Sequence, residues 1–150
     1  MKLSTRGEYG LRAMFDLAQH YGEGPIPIKS VAERQEISEH YLEQLIAVLR
    51  KAGLAKSVRG AQGGYILARD PEEITVGDII RVLEGPIAPV DCLNDREGEC
   101  CERAETCVTR GIWEKVRDSI SSVLDSFTLA DMVDKASKMQ QDDKHYMYYI

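Results

Sequence analysis

Apolar positions repeat at helical spacing from residue 3 to 21, where Tyr9, Ala13, Leu17 and Tyr21 recur every four residues beside Leu11, Met14, Phe15 and Ala18. This pattern predicts an amphipathic helix, which Gly22-Glu23-Gly24-Pro25 stops. A shorter helix is predicted from about Lys29, with Val31 and Ala32 inward. Ile37-Ser38-Glu39 makes a tight connection, and Ser38 suits the N-cap of a third helix over residues 40–52. That helix carries Tyr41, Leu42, Leu45, Ile46, Val48 and Leu49, and Gly53 stands where a left-handed cap belongs. Two short alternating runs, 54–58 and 65–68, then flank a glycine-rich turn and predict a hairpin. This order of elements is that of a winged helix-turn-helix.

Beyond the hairpin, Thr75 caps a helix that ends at Glu84-Gly85-Pro86. Residues 92–107 are polar, acidic and rich in cysteine, with no apolar period, and read as a loop. Val108, Ile112, Val116, Ile120, Val123, Leu124 and Phe127 then form one stripe on a long helix, with Trp113 beside it. The stripe exceeds what a small N-terminal domain needs, so burial against a second copy is expected. Thr128 caps a final short helix over residues 129–138, followed by a polar, mobile tail closing on Tyr146-Met147-Tyr148-Tyr149-Ile150. The expected fold is mainly α: a winged helix-turn-helix with a small β-hairpin wing and a long C-terminal dimerisation helix. Its segments are residues 1–84 for DNA binding, 85–107 for the cysteine loop, 108–138 for dimerisation and 139–150 for the tail.

A net charge of -6 looks unsuited to nucleic acid until the chain is divided. Residues 1–70 hold ten Lys/Arg against eight Asp/Glu, whereas residues 71–150 hold nine against seventeen. Arg50, Lys51, Lys56, Arg59 and Arg69 occupy twenty consecutive residues without an acid. Such a local basic patch is what phosphate contact requires. No apolar run is long enough to span a membrane, and the N-terminus has no signal-peptide pattern, so a cytoplasmic protein is expected. No Ser/His/Asp set, phosphate loop or catalytic carboxylate pair stands out, so no enzymatic activity is expected.

The four cysteines, Cys92, Cys100, Cys101 and Cys107, fall within sixteen residues. In a cytosolic chain such a group points to metal or cluster binding before disulfides. Thiolates are the usual ligands of iron–sulfur clusters. Zinc sites favour close Cys-x2-4-Cys pairs, which this spacing lacks, and thiol redox sensing is a third reading.

Leu3-Ser4-Thr5-Arg6-Gly7-Glu8-Tyr9, Ile37-Ser38-Glu39-His40-Tyr41-Leu42-Glu43-Gln44-Leu45 and Val58-Arg59-Gly60-Ala61-Gln62-Gly63-Gly64-Tyr65 resemble hallmark stretches of the Rrf-two (Rrf-type) family of transcription regulators. The similarity continues through Val76-Gly77-Asp78-Ile79-Ile80 and covers residues 1–135. It implies a homodimer that binds a two-fold operator in double-stranded DNA under the control of a bound iron–sulfur cluster, of 2Fe-2S type. The implied ligands are Cys92, Cys101 and Cys107. The family's cluster-binding members place His three residues after the last cysteine, where this chain has Arg110, so the fourth ligand is open: Glu8, Cys100 or another group.

By the same resemblance the third helix enters the major groove. Gln44 suits adenine, and His40 suits base or phosphate. Ser38 and Tyr41 suit phosphate, and Glu43 accepts from cytosine or rejects wrong sequences. Arg59 and Gly60, at the wing tip, suit the minor groove. The expected role is repression of cluster-biogenesis genes. The alternative is a cysteine-metabolism repressor of the same family, acting with cysteine synthase through the C-terminal Ile150.

Overall fold

The computed structural model describes residues 2–94 and 101–147. Six helices and one hairpin run in the order α1 (Thr5–Gln19), α2 (Ile28–Gln35), α3 (Glu39–Lys51), β1 (Ala55–Val58), β2 (Gly64–Leu67), α4 (Val76–Glu84), α5 (Val108–Ser126) and α6 (Leu129–Met147). Cys100 and Ile150 lie outside the described residues.

The core forms where the apolar faces of the first four helices converge on Met14, Leu42, Ile46, Leu49, Leu54, Ile74 and Ile79. Helix α1 packs on α4 through two glycines. A Cβ at Gly10 would collide with Leu83, and one at Gly7 would come 2.7 Å from the Glu84 carboxylate. Glu84 also completes the start of α1. It accepts from the Ser4 hydroxyl and from the Ser4 and Gly7 N–H groups, each N–H at 3.0 Å. An anion there satisfies orphan amides and suits the positive end of the helix dipole.

The turn between α2 and α3 fixes the angle of the helix-turn-helix. Glu36 adopts φ 54° and ψ 46°, and the Ile37 N–H reaches back to the Ala32 carbonyl at 3.0 Å. This is the six-to-one bond of a left-handed helix end, made without the usual glycine. Ile37 then buries itself, and Ser38 starts α3. At the far end of α3, Gly53 (φ 78°) makes the same closure, with the Leu54 N–H on the Leu49 carbonyl at 3.0 Å. The hairpin pairs Ala55 with Leu67 and Val58 with Gly64, and backbone bonds between Tyr65 and Ile26 dock it on the loop after α1.

Thr75 and Asp78 form a reciprocal capping box at the start of α4. Helix α5 buries none of its residues; Val108, Ile112, Val123 and Phe127 remain exposed. The chain then returns to the N-terminal domain. Val76 donates to the Phe127 carbonyl and Leu129 to the Ile74 carbonyl, at 2.8 and 2.9 Å, and Leu129 is fully buried in the core. The last helix also differs from the sequence expectation of a short helix ending at Lys138 with a tail from 139. It continues to Met147. Residues 139–147 bury nothing, and the helix there is sustained by backbone bonding among polar residues of fair helix propensity.

Candidate nucleic-acid interface and cysteine segment

The first turns of α3 present one exposed face. Ser38 Oγ accepts the Tyr41 N–H at 3.4 Å and still has its own hydroxyl proton to donate outward. Glu39, His40, Glu43 and Gln44 are exposed, as the helical period and the buried opposite face of Leu42, Leu45, Ile46 and Leu49 require. His40 Nε2 and Gln44 Nε2 lie 3.3 Å apart. Tyr41 is tied inward more than a free phosphate contact would be. It is half-buried, with its hydroxyl 3.2 Å from Thr5 Oγ1 and its ring edge-on to Tyr9 at 6.1 Å between centroids.

The hairpin supplies the second surface. Arg59 and Gly60 are exposed in its turn, and Gly60 has φ 125°, a value that side-chain-bearing residues rarely adopt. Lys51, Lys56, Arg59 and Arg69 are exposed and have no ion-pair partner among the described residues. Arg50 reaches Ser57 at 3.3 Å, bracing the hairpin against α3. Unneutralised cations beside an exposed helix face give this side of the molecule the positive field that its overall charge lacks.

Beneath this surface lies a polar network that the sequence reading missed. Asp16 is fully buried on α1. Its carboxylate accepts from Arg34 Nε and Nη2 at 3.0 and 2.7 Å and from Gln35 Nε2 at 3.0 Å. Gln35 in turn accepts from Arg12 through its side-chain and backbone oxygens, and Arg12 sits 5.4 Å over the Tyr9 ring. The network thus joins α1 to the end of α2 and, through Tyr9, to Tyr41 on α3. One signal was visible: Asp16 stands between Phe15 and Leu17 inside an apolar helical run, where a charge needs a partner.

The cysteine segment lies on a different part of the fold. Cys92 is exposed in a 3-10 turn whose next residue, Leu93, is buried. Cys101 is exposed, and Cys107 is half-buried at the N-cap of α5. A hydrogen bond with the Thr109 hydroxyl at 3.2 Å holds the Cys107 thiol below its ordinary pKa, aided by the backbone N–H of Arg110. Arg110 pairs with Glu114 at 3.0 Å and reaches the Cys92 carbonyl at 3.5 Å, so it links the two cysteine positions. Thiolate chemistry suits a soft metal or cluster. Among the described residues no three His, Cys, Asp or Glu side chains gather as a metal site, and Glu8 is exposed on α1.

The family model described as Rrf2, iron-dependent transcriptional regulator, matches residues 3–135. The chain is 51% identical to the HTH-type transcriptional regulator CymR of Bacillus subtilis (strain 168), over the full length of both. Among solved structures it resembles T. potens IscR, with 61% identity, TM-score 0.77 and coverage of 93% of this chain and 91% of that one. It also resembles CymR, the global cysteine regulator of B. subtilis, with 52% identity, TM-score 0.75 and coverage of 90% and 98%. These relatives are regulators, not enzymes, and their winged-helix fold is the one described above. The chain belongs to the Rrf2 family of transcriptional regulators.

Proposed function

We propose that this regulator represses genes of cysteine metabolism, binding a two-fold operator as a homodimer. The observation that carries this reading is the 51% identity to CymR over an alignment that spans both chains in full. The exposed face of α3 enters the major groove, with Gln44, His40 and Glu43 toward bases and Ser38 toward phosphate. Arg59 and Gly60 follow the minor groove. The uncovered stripe on α5 supplies the dimer contact. The segment that closes on Ile150 engages cysteine synthase, in the manner of a short peptide captured by a pocket. The test is co-purification of the full chain with cysteine synthase from its own organism. Deleting Ile150 is expected to abolish that association and leave operator affinity unchanged; no association with the full chain refutes this reading.

A second reading, control by an iron–sulfur cluster, is favoured by the thiolate character of Cys107 and by the 61% identity to T. potens IscR. Cys92, Cys101 and Cys107 would hold the group, with Glu8 of the second copy or Cys100 completing it. A 2Fe-2S cluster held there would give the regulator a group that responds to iron and redox state. Visible absorbance of anaerobically purified protein, lost in each of Cys92→Ala, Cys101→Ala and Cys107→Ala, is the expected signature. Colourless protein after reconstitution with iron and sulfide removes this reading and leaves the first intact.

A further inference from the structure

The reading face of α3 contains a contact between two of its own residues. His40 Nε2 stands 3.3 Å from the Gln44 amide nitrogen one turn along, and both side chains are exposed. A hydrogen bond between these two atoms needs the Nε2 lone pair to accept from the amide N–H, with the ring proton on Nδ1. Gln44 then spends one N–H on His40 and keeps its carbonyl oxygen and second N–H. An acceptor beside a donor is the complement of adenine N6–H and N7 in the major groove. Turned over, with its oxygen on an imidazole N–H, the amide would offer the base donors alone. That set matches guanine O6 and N7.

We propose that His40 is a specificity-determining positioning residue, which accepts from Gln44 and so fixes the amide in the orientation that reads adenine. The inference rests on α3 entering the major groove, as proposed above. It adds that the base preference of Gln44 is set by the neighbour one helical turn before it.

The test uses the full chain and a randomised duplex library, read out by fluorescence anisotropy at fixed salt. The base pair read by Gln44 is the one whose preference Gln44→Ala flattens. At that pair, affinities for A·T and G·C duplexes are compared for four proteins. The wild type is expected to favour adenine. His40→Ala is expected to lose about five- to ten-fold of that ratio, the scale of one bidentate base contact. His40→Gln, whose side-chain carbonyl accepts the same N–H, is expected to keep the preference. His40→Lys, which has donors alone, is expected to move it toward guanine. Melting curves check that all four remain folded. If Gln44→Ala flattens one position while His40→Ala and His40→Lys stay within about twofold of wild type, the orienting role is overturned. If Gln44→Ala flattens no position, the groove placement of α3 falls, and the role of His40 falls with it.

Discussion

Replacing Asp16 with Asn removes one charge at constant shape from the network under the helix-turn-helix. The carboxylate is 1% exposed and accepts three N–H bonds, two from Arg34 and one from Gln35. An amide in its place turns an NH2 group toward at least one of those donors. Breaking a buried ion pair costs about 3–5 kcal/mol when the orphaned partner stays dry. Arg34 is 41% exposed and swings into water, so the loss falls toward that of charge-assisted hydrogen bonds, about 2–3 kcal/mol. For a chain of this size that corresponds to a fall in Tm of roughly 5–10 °C. Urea titration followed by far-UV circular dichroism, at matched protein concentration, measures the change. Arg34→Ala alone is expected to cost less than Asp16→Asn, and the pair to be clearly non-additive. A loss below about 0.5 kcal/mol in Asp16→Asn would show that the network contributes nothing beyond its packing.

Glu36→Gly is expected to stabilise the protein by up to about 1 kcal/mol, because glycine meets φ 54° without a Cβ; urea titration reads the sign, and a loss would mean that the Glu36 side chain matters more than its backbone. Arg59→Ala is expected to weaken operator binding by about 1–3 kcal/mol at matched salt without altering the molecular mass in solution, and unchanged affinity would remove the wing from the interface. Because the Thr109 contact holds Cys107 below its ordinary pKa, its thiolate is present at lower pH than that of free cysteine. Its iodoacetamide alkylation rate is therefore expected to rise and level off at lower pH, and Thr109→Val to move the profile back up. A profile unchanged by Thr109→Val would assign the effect to the start of α5 instead.

Local chemistry made much of the fold legible. Ser38 and Gly53 are residues whose types match the ends of α3, and both occupy those ends. The reverse holds for the turn before α3, where Glu36 takes a left-handed conformation that its type does not advertise. Leu129 joins the first domain through contacts with residues far away in sequence, so no local period could announce it. The continuation of α6 past Lys138 was hidden because a solvated helix has no apolar stripe. At the candidate interface, exposure of His40, Glu43, Gln44 and Arg59 follows from helical period and turn chemistry. The network behind them depends on which side chain of α2 meets Asp16, a packing outcome that spacing does not encode.

The return of Leu129 to the core gives the chain the topology of a domain with an insertion. The two backbone bonds that join Ile74 and Val76 to Leu129 and Phe127 act as a clasp, and everything between α4 and α6 leaves and re-enters through it. Closing a loop becomes only slowly more costly as it lengthens, about 0.6 kcal/mol for each doubling. The cysteine segment can therefore lengthen, shorten or be exchanged for another loop with little effect on the stability of the part that reads DNA. Cutting the chain after Glu84 is a different matter, since it removes Leu129 from a site with no other occupant. A minimal DNA-reading fragment needs its ends joined across the clasp, with residues 129–135 retained and the excursion replaced by a short linker.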